Sequence, residues 1–191
     1  GVDNKCLADY IAPKTIDGQP SGIRDYIGLF AVTTGLGVER KEKEFEALLD
    51  DYSAILLKAI ADRMAEAFAE CLHERVRKDL WGYAPDESLD VEALVREKYR
   101  GIRPAPGYPA CPEHSVKSAM FEVLGANDIG MTLTDSYAMT PAASVSGFYL
   151  SHPASQYFNV GRIGEDQLKD LAARSGQTED ELRRDLGSLF F

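Results

Sequence analysis

At 191 residues the chain can bury a hydrophobic core as one domain or most of one, and its 45% hydrophobic and 27% charged content is ordinary for a soluble globular protein. A net charge of −10 argues against nucleic acid, whose phosphates would be repelled. No apolar run approaches the roughly 20 residues that span a bilayer and no signal peptide opens the sequence, so a membrane is not an expected partner either.

In chain order, Asp17-Gly-Gln-Pro-Ser-Gly22 reads as a loop, and residues 24–34 as an apolar, β-branched strand entering the Gly35-Leu-Gly37 turn. From about Glu39 to Asp79, apolar residues from Phe45 and Leu48 through Ile60, Met64 and Phe68 to Val76 recur at three- and four-residue spacing. That predicts one long helix, about 60 Å if unbroken. Asp86 or Ser88 is placed to cap a second helix running to about Tyr99, and a third is expected from Pro112 to just before Gly125, a favoured residue past a helix end. Residues 129–140, 145–150 and 157–163 carry the alternation and aromatic content of an antiparallel meander. Two short helices finish the chain, the last with Thr178 and Glu181 at capping-box spacing. Helices and strands segregate, which indicates an α+β domain.

The most constrained stretch is Arg103-Pro-Ala-Pro-Gly-Tyr-Pro-Ala-Cys-Pro-Glu-His114. Its prolines hold φ near the polyproline value and remove backbone donors, so the chain runs stiff and cannot join a central strand. Gly107 lets another group approach the backbone. The result is a ledge with a guanidinium at one end, a phenol in the middle and Cys111 and His114 at the other. A thiol and an imidazole three residues apart suggest a nucleophile and base, yet no third orienting group accompanies them, and lining or capping is the better role for His114. The three cysteines, Cys6, Cys71 and Cys111, lie far apart without a CxxC pair, which fits a reducing cytoplasm and excludes a zinc-finger pattern.

On the long helix, the face bearing Tyr52, Ile55 and Ala59 continues as Asp62, Glu66 and His73. Carboxylates beside an apolar stripe are costly to bury alone. They either sit at its margin, paired with Arg63 or Lys58, or face a ligand or partner. Glu97 either pairs on the surface with Arg96 or Arg100, or belongs with the ledge six residues on. Basic residues cluster in His73-Glu-Arg-Val-Arg-Lys78 and again at Arg96, Lys98, Arg100 and Arg103.

The ledge, together with Leu7-Ala-Asp-Tyr-Ile-Ala-Pro-Lys14, Asp25-Tyr-Ile-Gly-Leu-Phe-Ala-Val-Thr-Thr-Gly35, Ala61-Asp-Arg-Met-Ala-Glu-Ala-Phe-Ala-Glu70, Trp81-Gly-Tyr-Ala-Pro85, Ser144-Val-Ser-Gly-Phe-Tyr149 and Ser151-His-Pro153, closely resembles the activation domain of cobalamin-dependent methionine synthase. The resemblance implies a single C-shaped α+β domain with a twisted antiparallel sheet flanked by helices. It implies that S-adenosylmethionine is bound by Arg103, Tyr108, Ala110, Tyr157, Phe158, Glu66 and Glu97, with Arg103 taking the carboxylate and Glu66 near the sulfonium. Phe158 stands where some relatives have Tyr, which removes one hydroxyl. The resemblance also implies that Asp62 contacts the partner domain carrying cobalamin, that a flavodoxin-like electron donor docks, and that the task is reductive methylation of cob(II)alamin in a cytoplasmic enzyme. In that reading residues 1–191 are the C-terminal part of the domain. The family's early ligand-binding aspartate has no counterpart here, and the chain alone is not expected to make methionine. The alternative is a protein of the same fold that binds a small molecule or partner without methyl transfer.

Overall fold

The computed structural model describes residues 5–190. The segment 17–22, expected as a loop, supplies the turn and second strand of a tight hairpin: β1 (Thr15–Ile16) and β2 (Gln19–Pro20) pair across Asp17 and Gly18, whose φ values of 50° and 76° suit a two-residue turn of the primed type. The strand predicted over 24–34 is β3 (Gly28–Thr33).

The single long helix is two. α1 (Val38–Ala47) ends, Leu49 takes φ 57°, and α2 (Asp51–Arg75) starts again with the Asp50 side chain accepting from Ser53 N at 3.0 Å. α1 folds back along α2, and Lys58 reaches Glu42 across the pair at 2.5 Å. A π-helical turn, Val76–Leu80, closes α2 and turns Arg77 inward. The second predicted helix shrinks to α3 (Val91–Val95), capped by Asp90 and ended before Glu97, which takes φ 54°. α4 (Val116–Leu124) starts four residues later than expected, since residues 112–114 are irregular and Glu113 accepts from Ser115 N, and it stops at left-handed Gly125 as predicted.

Of the three segments read as a meander, 129–140 holds only the two-residue strands β4 (Thr132–Leu133) and β5 (Met139–Thr140), while 145–150 matches β6 (Ser144–Tyr149) to within one residue at each end. Residues 157–163 form no strand: Val160 N donates to Pro109 O, tying this segment to the ledge instead. α5 (Glu165–Ser175) and α6 (Glu179–Asp185) finish the fold, and Thr178 and Glu181 make the predicted reciprocal cap. The architecture is α+β, with helices around small antiparallel sheets. Among the described residues no helix is long and apolar enough to cross a membrane.

The central pair is β3 and β6, in register from Gly28 opposite Tyr149 to Thr33 opposite Ser144. α2 lies on it through Ala61, Ala65, Ala69 and His73, the three alanines letting helix and sheet approach closely, and Phe30, Val32, Ala69, Val76 and Tyr149 form the main core. The other edge of β6 receives the ledge: Ile102 exchanges two hydrogen bonds with Leu150, and Phe148 N donates to Pro104 O at 2.9 Å. Prolines are tolerated there because an edge segment can offer carbonyls alone. Gly147 admits this contact, since a Cβ would stand 2.6 Å from Pro104 O. Because alanines make up most of the inward face of α2, most of its large apolar side chains point outward. Tyr52, Leu56, Ile60, Met64 and Phe68 repeat every four residues, all exposed, below exposed Leu48 and Leu49.

Candidate functional site

Between α2, the ledge and the coil after β6 lies a cleft of about 360 Å³. α2 contributes Glu66 and Ala69, and the left-handed turn after α3 contributes Glu97. The ledge contributes Arg103 to Ala105 and Tyr108 to Ala110, β6 contributes Val145, and the coil contributes Tyr157 and Phe158. All seven residues predicted to share a ligand line this one cleft. Asp62 does not. It lines a separate cleft of about 530 Å³ beside the Gly35-Leu36-Gly37 turn, Lys58 and Pro141.

The geometry of the ledge follows from its sequence. Gly107 takes φ 96°, its N–H donates to Cys111 O at 2.7 Å, and Cys111 N donates to Tyr108 O at 2.9 Å. The His114 ring packs on Gly107 so closely that a Cβ there would stand 2.3 Å from Cε1. This tight turn presents Tyr108, largely exposed, at the cleft. It also removes the nucleophile reading: burial first, then the Glu113 carboxylate, pushes the Cys111 thiol up to about 11, the opposite of an activated thiolate.

Arg103, expected as the guanidinium at one end of the ledge, is a partly buried hub. Its backbone N–H donates to Tyr157 Oη at 3.0 Å, and Nη1 donates to Tyr99 Oη at 2.8 Å and lies 3.2 Å from His73 Nδ1. Nη2 forms an ion pair with Glu70. Burial would weaken its charge, but Tyr99, Glu70 and Tyr157 more than offset this and hold the pKa above its usual value. Burial raises the pKa of Tyr99 and of Tyr157, so both phenols stay protonated. Behind Tyr99, Arg77 stacks with its guanidinium carbon 4.3 Å from the ring centroid. Glu87 holds Arg77 as a fork, with Nε 2.9 Å from both carboxylate oxygens and Nη2 2.7 Å from one.

These contacts correct the reading of the basic clusters: His73 and Arg77 are wholly interior and Arg103 faces the cleft, so a surface patch retains only the remaining cations. Glu66 meets both of its alternatives, pairing with Arg63 at 3.4 Å on the rim while lining the cleft. Glu70, Tyr99 and Glu87 escaped the sequence reading. Glu70 follows Glu66 by one helical turn, which was a usable signal. Tyr99 is brought beside Arg103 by left-handed Gly101, at φ 83°, which no periodicity reveals.

One guanidinium with two carboxylates around an otherwise apolar and aromatic wall suits a ligand that carries both charges on an apolar body. Residues 1–176 match the family described as vitamin B12 dependent methionine synthase, activation domain. The fold is similar to the crystal structure of the MetH reactivation domain bound to AdoHcy, with a TM-score of 0.89 and 55% sequence identity, covering 97% of this chain and 56% of that one. The chain thus spans little more than half the length of that relative. With its ledge, cleft and fold in place, this chain belongs to the activation-domain family of vitamin B12-dependent methionine synthases.

Proposed function

We propose that the chain binds S-adenosylmethionine in the Arg103 cleft and presents it for reductive methylation of a cobalamin carried by a partner domain of methionine synthase. The observation that carries this reading is the state of Arg103. Nη1 engages Tyr99 and His73 and Nη2 engages Glu70, so of five N–H groups, Nε–H and one on Nη2 have no protein partner among the described residues. Those two suit a bidentate carboxylate. Bound S-adenosylmethionine supplies an electrophilic methyl on a positively charged sulfur. The chain's residues bind and orient it: Arg103 holds the carboxylate, Glu66 and Glu97 favour the sulfonium, and Tyr108, Ala110, Tyr157 and Phe158 wall the remainder. The solved relative, with AdoHcy bound, supports this choice of ligand. Calorimetric titration with S-adenosylmethionine is expected to give saturable one-to-one binding. A folded sample that gives none would sink the reading.

In the same reading Asp62, on its separate cleft, faces the cobalamin-bearing domain, and a flavodoxin-like donor docks on the surface cations Arg75, Lys78, Arg96 and Lys98. The three free thiols accord with a cytoplasmic setting.

We further read residues 1–191 as the C-terminal part of a larger activation domain whose remainder covers the Tyr52–Phe68 ridge. Two observations support this: the chain spans 56% of the solved relative, and the ridge exposes five large apolar side chains along about 24 Å of helix. Adding the unmatched part of that relative should suppress binding of an apolar dye to the chain. Undiminished dye binding alongside a formed complex would place the covering surface elsewhere.

A further inference from the structure

A guanidinium offers a ligand two parallel N–H groups only when its plane is fixed, and the Arg103 side chain is fixed by an imidazole that does not line the cleft. A guanidinium has donors and no acceptor, so the ring nitrogen beside it must be the acceptor. His73 Nδ1, 3.2 Å from Arg103 Nη1, therefore carries no proton, and the ring hydrogen sits on Nε2, 3.3 Å from Tyr83 Oη. The ring is wholly buried, stacked on Tyr149 at 5.1 Å between centroids and edge-on to Tyr99 at 5.0 Å. Burial, then the charges of Arg77 and Arg103, push its pKa down to about 2, which keeps it neutral. Tyr99 satisfies one Nη1 hydrogen and His73 the other. Without His73 that second hydrogen would lack a buried acceptor, and the guanidinium would gain by turning Nη1 toward the ligand or water.

We propose that His73 is a positioning residue for the ligand carboxylate: its Nδ1 saturates Nη1 of Arg103 and so directs the Nε–Nη2 edge into the cleft. Tyr83, by accepting from Nε2, selects the tautomer that leaves Nδ1 free to accept. The inference rests on the reading of Arg103 as the carboxylate-binding residue.

The test compares S-adenosylmethionine with its decarboxylated analogue, which lacks only the carboxylate, by calorimetry on the wild type, His73→Phe, His73→Asn and Arg103→Ala. Phe preserves a ring against Tyr149 but has no acceptor, whereas Asn restores an acceptor near the Nδ1 position. His73→Phe is expected to weaken S-adenosylmethionine about tenfold and leave the analogue within about twofold, with Asn recovering part of the loss. Equal weakening of both ligands, or of neither, in His73→Phe would overturn the proposal, provided Arg103→Ala is selective. Loss of selectivity in Arg103→Ala itself would instead overturn the carboxylate reading of the cleft. If His73→Phe does not fold, Tyr83→Phe decides: about a threefold loss confined to S-adenosylmethionine supports the proposal, and unchanged discrimination overturns it.

Discussion

Arg103→Ala is expected to weaken S-adenosylmethionine binding by about 100-fold, and Arg103→Lys to recover only part of that loss. Two hydrogen bonds from a cation to a carboxylate contribute about 3 kcal/mol together, which corresponds to roughly two decades in affinity. An ammonium keeps the charge but is a point donor. It cannot serve Tyr99, His73 and Glu70 while also presenting two parallel N–H groups. The side chain is 22% exposed, so its charge acts across a partly desolvated space. Titration of the purified chain checks this, with circular dichroism to establish that the fold is retained. An affinity within threefold of wild type would remove Arg103 from the ligand's carboxylate end.

Glu87→Gln should destabilise the fold by about 3–5 kcal/mol, because it leaves the Arg77 charge buried without its counter-ion. The side chains are 0% and 8% exposed, so water cannot take over. Arg77 Nη1 is already buried without a hydrogen-bond partner, so the fork to Glu87 provides the main compensation for that charge. For a domain of this size such a loss lowers the melting temperature by roughly 10 °C, measurable by thermal unfolding. The effect should also reach the cleft, since Arg77 supports the Tyr99 ring and the Tyr99 hydroxyl accepts from Arg103. A loss below about 1 kcal/mol would mean that the π-helical turn can rotate Arg77 out to solvent.

Local chemistry was readable where it depends on neighbours in the chain. The prolines of the ledge, the stop at Gly125 and the Thr178–Glu181 cap each act within a few residues, and each is found where expected. The break at Leu49 was hidden because Phe45, Leu48, Leu49 and Tyr52 continue a three- and four-residue spacing straight through it, leaving Asp50 as the only local sign of a new helix. The apolar stripe of α2 misled for a different reason. Close packing on the sheet selects alanines for the inner face, so the bulky residues that dominate the pattern lie outside. Glu66 was legible as a carboxylate on one row of a helix, but that row does not say that Asp62, one turn earlier, opens onto a different cleft.

The sequence by itself determined the class of the fold, the stiffness and turn of the ledge, and, through its resemblance to a known family, the set of residues that gather around one cleft. Only the tertiary structure decided that Arg103 is a partly buried hub whose guanidinium is held by Glu70 and His73, 33 and 30 positions away, and whose backbone N–H is held by Tyr157, 54 positions away. Periodicity and capping act over a few residues because they arise from the geometry of one element. Which acceptors surround a guanidinium depends instead on which faces of α2 and β6 pack together, and that is settled by the burial of the whole core.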